Sequence, residues 1–258
     1  MKIPSFPWFT SGRRMLLILL GLLAADSAAA SGEAPRSEVY VLGTLYRQHA
    51  QVPAYSLDVL QRLITAVHPD VLVLDVSPGE LEKRTVHPGK IEYTQVVFPL
   101  LAGGTFKAYP SEPGQPMFDE IVNSTIAAIK QAKTEQPALT AALDAHEKTA
   151  AELLKAHWQT TADVQDATTA AVLAGKSALR DAVYGPVAAE GSRRWNEHIA
   201  RQVVLAVREN PGRRILVLTG IDNRSFVLRH LAGQPLFDLV DTEQWLRTHS
   251  HEIDVPVK

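Results

Sequence analysis

The chain has 258 residues, of which 46% are hydrophobic and 21% are charged, and its formal net charge is −2. This composition predicts a globular protein with a sizeable buried core. The sequence has no basic tract interleaved with aromatic residues, which argues against a nucleic-acid partner. The absence of cysteine excludes disulfides, thiolate metal sites, a thiol nucleophile and a lipoprotein anchor.

Residues 1–30 are typical of a signal peptide. Basic residues, including the pair Arg13-Arg14, precede an apolar run at 15–25 that is short for a membrane-spanning helix. The alanines at 28–30 fit the small residues of a cleavage site. We therefore expect a mature chain that is periplasmic or secreted and has no transmembrane segment; an uncleaved anchor is the alternative.

Alternating strands and helices begin after this segment. Asp75 is the only polar residue in its strand-like run, which is otherwise as apolar as a strand covered on both faces. Ser56 is a good N-cap for the helix that follows it. A succession of strand, helix and strand forms a right-handed unit with parallel strands. The predicted strands are 38–42, 71–76 and 105–109, and the predicted helices are 57–67 and 91–101.

A region at about 117–185 is rich in alanine, lysine, glutamine and threonine and carries no strand signal. We expect it to form about three helices that are inserted into the sheet domain as a cap or arm. We interpret His146 and His157 within it as hydrogen-bonded core residues. They belong to a predicted buried stripe at helical spacing, which is Leu139, Leu143, His146, Ala150, Leu153 and His157.

The α/β pattern resumes after residue 185. Ser192 is predicted to cap a helix that ends at Glu209. The remaining predicted elements are a strand at 215–218, a helix at 225–231, a strand at 237–240 and a helix at 242–248. The sequence thus predicts a single α/β domain over 31–258, with a mainly parallel sheet, helices on both faces and an inserted all-helical cap region.

Polar residues follow several of the predicted strands. The carboxyl ends of parallel strands meet at one edge of a sheet, where ligand and catalytic sites form. Arg194 and Asn196 are predicted to lie in the first turns of a helix, where free backbone N–H groups favour anions. The catalytic candidates are Asp75, Glu112, Arg194 and Asn196. The candidates for ligand binding are Thr44, Tyr46, Arg47, His49, Asp222 and Asn223.

Each candidate also has a purely structural interpretation. The set is stronger than any single member because location and chemistry agree. The alternatives are turn formation for Asp75, Asp222 and Asn223, local pairing or helix capping for Arg194 and Asn196, and an exposed loop position for Glu112 and His49.

The order of these motifs resembles the TraB / Tiki / ChaN-like / erythromycin-esterase-like superfamily. Its pattern is a strand, G-x-x-H, a helix, P-D-v-v-v-v-E, a helical insertion, R-N, a strand and a second G-x-x-H. The resemblance covers most of the mature chain in order. The matching segments are Gly43–Tyr46, Pro69–Asp75, Arg194–Asn196 with one extra residue between, and Gly220–Asn223.

The chain departs from the pattern of this superfamily at the metal ligands. Tyr46 and Asn223 stand where the pattern has histidine, and Asp75 stands where it has glutamate. Tyrosine and asparagine are weak ligands for zinc-like ions, so we expect no stoichiometric transition metal here. Asp75, Glu112 and Asp222 offer oxygen ligands that suit a harder ion such as magnesium or calcium.

The resemblance implies two alternative functions. The first is an exported hydrolase with a degraded metal site, in which Asp75 or Glu112 is a base or metal ligand and Arg194 polarises the substrate. The second is a non-catalytic periplasmic binding protein for haem or another small ligand, as ChaN-like relatives suggest. Tyr46 or His49 would then be the axial ligand of the haem. The sequence defines neither the small-molecule or peptide ligand nor any cofactor.

The signal-peptide prediction is tested at the N-terminus of the exported protein. Because small residues precede Ser31, mass spectrometry of the exported chain should give a mature N-terminus near Ser31. Ala28→Leu together with Ala30→Leu should leave the precursor uncleaved, since both substitutions remove the small side chains of the cleavage site. An intact Met1 on a soluble cytoplasmic product would contradict the prediction.

Overall fold

The computed structural model describes residues 35–104 and 106–253. The predicted signal peptide, residues 1–30, lies outside the described residues. So does Thr105, with which the third predicted strand begins.

The described residues contain one five-stranded sheet in which every strand pair is parallel, as predicted. The strands are β1 (Ser37–Thr44), β2 (Val71–Leu74), β3 (Lys107–Pro110), β4 (Arg214–Gly220) and β5 (Phe237–Leu239). Their order is β3-β2-β4-β1-β5. The parallel pairing brings the carboxyl ends of β1, β2 and β4 side by side.

Helices connect the strands. Ser56 caps α1, because its hydroxyl accepts a hydrogen bond from the Val59 N–H at 3.3 Å. The helices before the insertion are α1 (Leu57–Val67), α2 (Pro78–Lys83) and α3 (Phe98–Ala102), the last preceded by a π-helical turn at Tyr93–Val97. Those after it are α8 (Pro186–Glu209), α9 (Ile221–Leu231), α10 (Thr242–Thr248) and α11 (Ser250–Ile253).

The sheet has a hydrophobic core on each face. Successive residues of a strand point to opposite faces, so Leu42 packs in one core and Val41 in the other. The first core includes Leu63 of α1, and the second includes Ile199 of α8 and Val227 of α9. Helices therefore cover both faces, as a buried parallel sheet requires.

Residues 117–184, all of which the structure describes, contain helices and no strand. These helices are α4 (Met117–Glu135), α5 (Pro137–His157), α6 (Thr161–Val164) and α7 (Ala167–Tyr184). The predicted stripe of α5 is only partly correct. Leu143 and Ala150 are buried, but Leu139, His146 and Leu153 are exposed. The many alanines of α5 blur the boundary of its apolar face, so the spacing alone did not fix which side packs inward.

Two helices begin earlier than the sequence predicts. The prediction that Ser192 caps a helix is wrong, because α8 begins at Pro186, where the missing proline N–H costs no hydrogen bond. Arg194 and Asn196 therefore lie inside the helix, not at its free N–H groups. Helix α9 begins directly after Gly220, so Asp222 and Asn223 form its first turn.

A side chain from the segment after α6 fixes the end of β1. The Gln165 amide accepts a hydrogen bond from the Gly43 N–H and donates one to the Gly43 carbonyl oxygen, both at 2.9 Å. A Cβ at Gly43 would overlap Ile221 Cδ1 and lie 3.0 Å from Ile221 Cα. The end of β1 is thus held between the helical insertion and α9, and only glycine fits there.

Gly43→Ala should destabilise the protein by about 1 to 3 kcal/mol, because the added methyl group meets backbone as well as side-chain atoms of Ile221. Gly175→Ala is the matched control. Gly175 lies within α7 with open space around it, so alanine there should stabilise by about 0.5 to 1 kcal/mol. Urea unfolding measures both changes. Equal effects of the two substitutions would contradict the packing described here.

Candidate functional site

The carboxyl group of Asp75 connects three strand ends. Asp75 follows β2, and its N–H lies 3.0 Å from the Leu218 carbonyl oxygen of β4. Its Oδ2 accepts hydrogen bonds from the Tyr46 hydroxyl, just beyond β1, and from the Gly220 N–H at 3.2 Å, the last residue of β4. Asp75 is buried. Its carboxylate therefore lies at the centre of the sheet edge where the sequence predicts a site.

Tyr46 reaches Asp75 through an unusual backbone conformation. Its φ is 52°, in the left-handed region that bulky residues rarely occupy. Burial, followed by the charge of Asp75, raises the pKa of the Tyr46 phenol well above its ordinary value. The phenol therefore stays protonated and donates to Asp75. A Cβ at Gly220 would overlap the Tyr46 hydroxyl, so glycine is needed at the end of β4.

Lys90 and Glu112 form a largely buried ion pair beside Asp75. Lys90 Nζ donates to Glu112 Oε1 and to the Asp75 carbonyl oxygen, both at 2.6 Å. The two side chains are only 13% and 11% exposed. Burial lowers the pKa of Lys90, but the charges of Asp75 and Glu112 outweigh this effect and raise it overall. Lys90 is therefore a fixed positive charge.

The pKa of Glu112 is raised. Burial contributes most, the charge of Asp75 adds to it, and Lys90 offsets only part of the effect. Glu80 of α2 adds a further upward contribution, and the His198 ring of α8 contacts the Glu112 backbone. A carboxyl group that titrates nearer to neutrality than usual and lies in a cleft is a candidate for proton transfer.

The π-helical turn places Tyr93 beneath the site. The Tyr93 hydroxyl accepts a hydrogen bond from the Asp75 N–H at 2.9 Å and donates to the Leu218 carbonyl oxygen at 3.4 Å. Turns of π-helix inside helices are frequently found at functional sites. Here the extra residue brings the phenol to the junction of β2 and β4.

Glu92, next to this turn, is fully buried, and neither of its carboxyl oxygens has a hydrogen-bond partner among the described residues. Burial, with a smaller contribution from the charge of Asp75, raises the pKa of Glu92 to about 7. Three groups lower the pKa of Glu92 and offset part of this rise: its own backbone N–H, the nearby Thr44 hydroxyl and the charge of Lys90. Glu92 is therefore protonated in much of the folded protein near neutral pH.

Two adjoining cavities open at this edge of the sheet. The first cavity has a volume of about 340 Å³ and the second of about 800 Å³. They share Glu112, Val122 and Trp195 as lining residues. The first is also lined by Tyr46, Asp75, Ile121, Thr125, Ile126, Gly191, Ser192 and Asn223. The second is also lined by the segment 77–80, His87, Lys90, the segment 113–115 and Phe118.

The structure brings Tyr46, Asp75, Glu112 and Asn223 to the first cavity, but it separates Arg194 and Asn196 from it. Arg194 pairs with Glu120 at 2.9 Å and lines a neighbouring surface cavity of about 310 Å³. Asn196 is buried and donates to the Ser192 carbonyl oxygen at 2.9 Å. Neither residue lines the two cavities that contain Glu112.

Four of the ligand-binding candidates, which are Thr44, Arg47, His49 and Asp222, also lie away from these cavities. Thr44 is buried behind the site, and its hydroxyl donates to the Thr219 carbonyl oxygen at 3.4 Å. Arg47 is exposed. Asp222 pairs with Lys176 of α7 at 2.5 Å. None of these four residues lines either cavity.

The site residues do not suit the metal or haem that the superfamily resemblance raises. The described residues contain no group of three or more His, Asp or Glu side chains able to hold a metal ion. Both His49 nitrogens are occupied, by the Leu45 N–H at 3.0 Å and the Tyr55 carbonyl oxygen at 2.6 Å, and burial lowers its pKa to about 4. The raised pKa of Tyr46 disfavours the tyrosinate that a haem ligand requires.

Sequence reasoning missed Lys90 and Trp195. Lys90 lies in a loop without a periodic pattern, and only its contact with Glu112 identifies it. Trp195 is the extra residue within the R-W-N segment, and it packs against Phe118 with a ring-centroid distance of 5.8 Å. In the sequence, Trp195 could have been identified because it is an aromatic residue inside a predicted site motif.

Comparisons of the chain with protein-family models, with curated proteins and with solved structures found no match. None of the helices in the described part of the chain combines the length and apolar character of a membrane span.

Glu92→Gln should change how the stability of the fold depends on pH. A carboxyl whose pKa rises from about 4.5 when unfolded to about 7 when folded destabilises the fold as pH increases through that window. The amide does not titrate and so removes this loss. The free energy of unfolding of the variant, relative to wild type, should therefore rise by about 2 to 3 kcal/mol as the pH increases from 5 to 8. Urea unfolding at both pH values measures this. The exposed Glu82→Gln is the control, and an unchanged pH dependence in Glu92→Gln would contradict the assignment.

Proposed function

We propose that this protein is an exported hydrolase that uses acid–base catalysis, with Glu112 as the group that transfers the proton. The observation that carries the proposal is the position of Glu112 between two cavities, paired with Lys90 and beside Asp75. The resemblance to the TraB / Tiki superfamily supports a hydrolase. The residues of the site supply this chemistry without a transition metal.

Glu112 has one carboxyl oxygen available for the reaction. Lys90 holds Oε1, and no described residue makes a hydrogen bond to Oε2. In the carboxylate form, Glu112 takes a proton from water as the water oxygen attacks a carbonyl carbon. The bond to the leaving oxygen or nitrogen then breaks, and Glu112 returns the proton to that atom. The products are a carboxylic acid and an alcohol or amine.

Asp75 and Tyr46 position this chemistry. Asp75 has one carboxyl oxygen bonded to Tyr46 and Gly220, and its charge raises the pKa of Glu112. A base whose pKa approaches the working pH both accepts and returns a proton efficiently. Tyr46 lines the first cavity and commits its proton to Asp75, which leaves the hydroxyl oxygen as an acceptor toward a substrate.

A binding protein on the same scaffold is the second candidate, and one observation favours it. Arg194, which the sequence suggested would polarise the substrate, is paired with Glu120 away from the cleft. Lys90 is the only lysine or arginine among the described residues that line the two cavities, and it is engaged by Glu112. A ligand that binds in the cleft without being hydrolysed would support this candidate.

Glu112→Gln should lower hydrolysis of carboxyl esters by about 10²- to 10⁴-fold, because the amide cannot transfer the proton. The exposed Glu152→Gln on α5 is the control and should retain full activity. Circular dichroism establishes that both variants fold. Full turnover by Glu112→Gln would exclude the proposed role.

Asp75→Asn should move the acidic limb of the pH–rate profile to lower pH. The reaction needs deprotonated Glu112, and removing the Asp75 charge lowers the pKa of Glu112. Lys90, Glu80 and His198 also face Glu112 and remain unchanged in this variant. The rate of ester hydrolysis measured from pH 5 to pH 9 tests this shift. An acidic limb that stays in place or moves to higher pH would contradict the assigned effect of Asp75 on Glu112.

A further inference from the structure

Both cavities that meet at Glu112 are lined by apolar and by acidic side chains. Helix α4 supplies an apolar wall to the first cavity through Ile121, Val122 and Ile126. Ile126 is 47% exposed, so a large apolar side chain is left facing the opening. Gly191 of α8 allows the two helices to approach, since a Cβ there would lie 2.7 Å from Thr125 Oγ1. The α4 side of the first cavity is therefore suited to an apolar group.

The charges around the cleft are predominantly negative. Among the described residues, the first cavity is lined by Asp75 and Glu112 and by no lysine or arginine. The second cavity contains Glu80, Glu112 and Lys90. The charge of Lys90 is already paired with Glu112 and bonded to the Asp75 carbonyl oxygen. An anionic ligand would meet the carboxylates of Asp75 and Glu80, for which the described residues provide no ion-pair partner, and no free lysine or arginine would balance its own charge.

Glu80 is the carboxylate most able to contact a substrate in the second cavity. It belongs to α2, where its carboxyl group accepts from the Ser77 N–H at 2.8 Å as half of a capping box. That single contact leaves acceptor capacity on the carboxylate for another donor. Phe118 and Trp195 form an aromatic surface in the same cavity, which favours a cationic group.

We infer that the substrate is an amphiphile in which the cleaved ester or amide bond joins an apolar acyl group to a neutral or cationic polar group. The acyl group occupies the first cavity and the polar group the second, with the bond beside Glu112. This inference rests on the proposed hydrolase function. The reaction is the one described above, in which water adds to the acyl carbon and the polar alcohol or amine leaves with a proton from Glu112.

Three esters with the same acyl group test the charge preference. Octanoylcholine is cationic, 2-methoxyethyl octanoate is neutral and polar, and the octanoyl ester of glycolate is anionic. We expect kcat/KM for the cationic and neutral esters to exceed that for the anionic ester by at least about tenfold, because opposite charges attract in a partly buried site. Equal rates, or a preference for the anionic ester, would overturn the inference.

Variants of Glu80 and Ile126 test which residues contact each part of the substrate. Glu80→Gln keeps the capping hydrogen bond and removes the charge, so it should narrow the ratio of kcat/KM between the cationic and the anionic ester. Ile126→Ser should weaken the preference for octanoyl over acetyl esters, whereas Leu139→Ser, at a similarly exposed leucine on α5, should not. An unchanged charge ratio in Glu80→Gln, or an unchanged acyl preference in Ile126→Ser, would overturn the assignment.

Binding of uncleavable ether analogues separates this inference from the proposed function. Octyl ethers of choline, of 2-methoxyethanol and of glycolate are titrated by calorimetry against the mature chain. Tighter binding of the cationic and neutral ethers without hydrolysis of any ester would support the ligand class and refute the hydrolase. Hydrolysis without the expected order would support the hydrolase and refute the ligand class. Neither binding nor hydrolysis would refute both.

Discussion

A buried carboxylate at the end of β2 determines the arrangement of the residues around it. A charge removed from water is costly unless hydrogen bonds replace its hydration. Asp75 obtains them at Oδ2 from the Tyr46 hydroxyl and the Gly220 N–H, which belong to two other parts of the sheet edge, whereas its buried Oδ1 has no hydrogen-bond partner among the described residues. These contacts account for the left-handed backbone at Tyr46 and for a glycine at the end of β4. The sheet edge is thus organised by the need to solvate one charge with protein groups.

The same charge adds to the effect of burial on the pKa values of two neighbouring carboxyl groups. Burial makes ionisation costly for Glu112 and Glu92, and the nearby Asp75 charge increases that cost for both. One lysine, Lys90, is bonded to the Asp75 backbone and to Glu112, so it compensates only part of the negative charge. Glu112 and Glu92 therefore titrate at higher pH than exposed carboxyl groups do, as the proposed acid–base chemistry needs.

The sequence predicted the features that depend on local periodicity. Apolar runs such as 71–76 and 215–218 identified strands, and parallel topology then placed Tyr46, Asp75 and Asn223 near each other. It could not predict contacts that depend on packing. Both nitrogens of His49 are taken by neighbouring backbone groups, and Lys90 gains its role only when β3 brings Glu112 to it. The start of α8 was misplaced because the serine signal at Ser192 competed with the proline at Pro186.

The cleft takes its charged groups and its apolar wall from different parts of the chain. Asp75 and Glu112 follow strands of the sheet, whereas Ile121 and Ile126 belong to the helical insertion. Substitutions on α4 can therefore reshape the wall while the strand ends keep the carboxyl groups in place. Under the proposed function, selection can then act on recognition and reactivity separately, because a change on one helix surface alters which ligand fits without moving the groups at the strand ends.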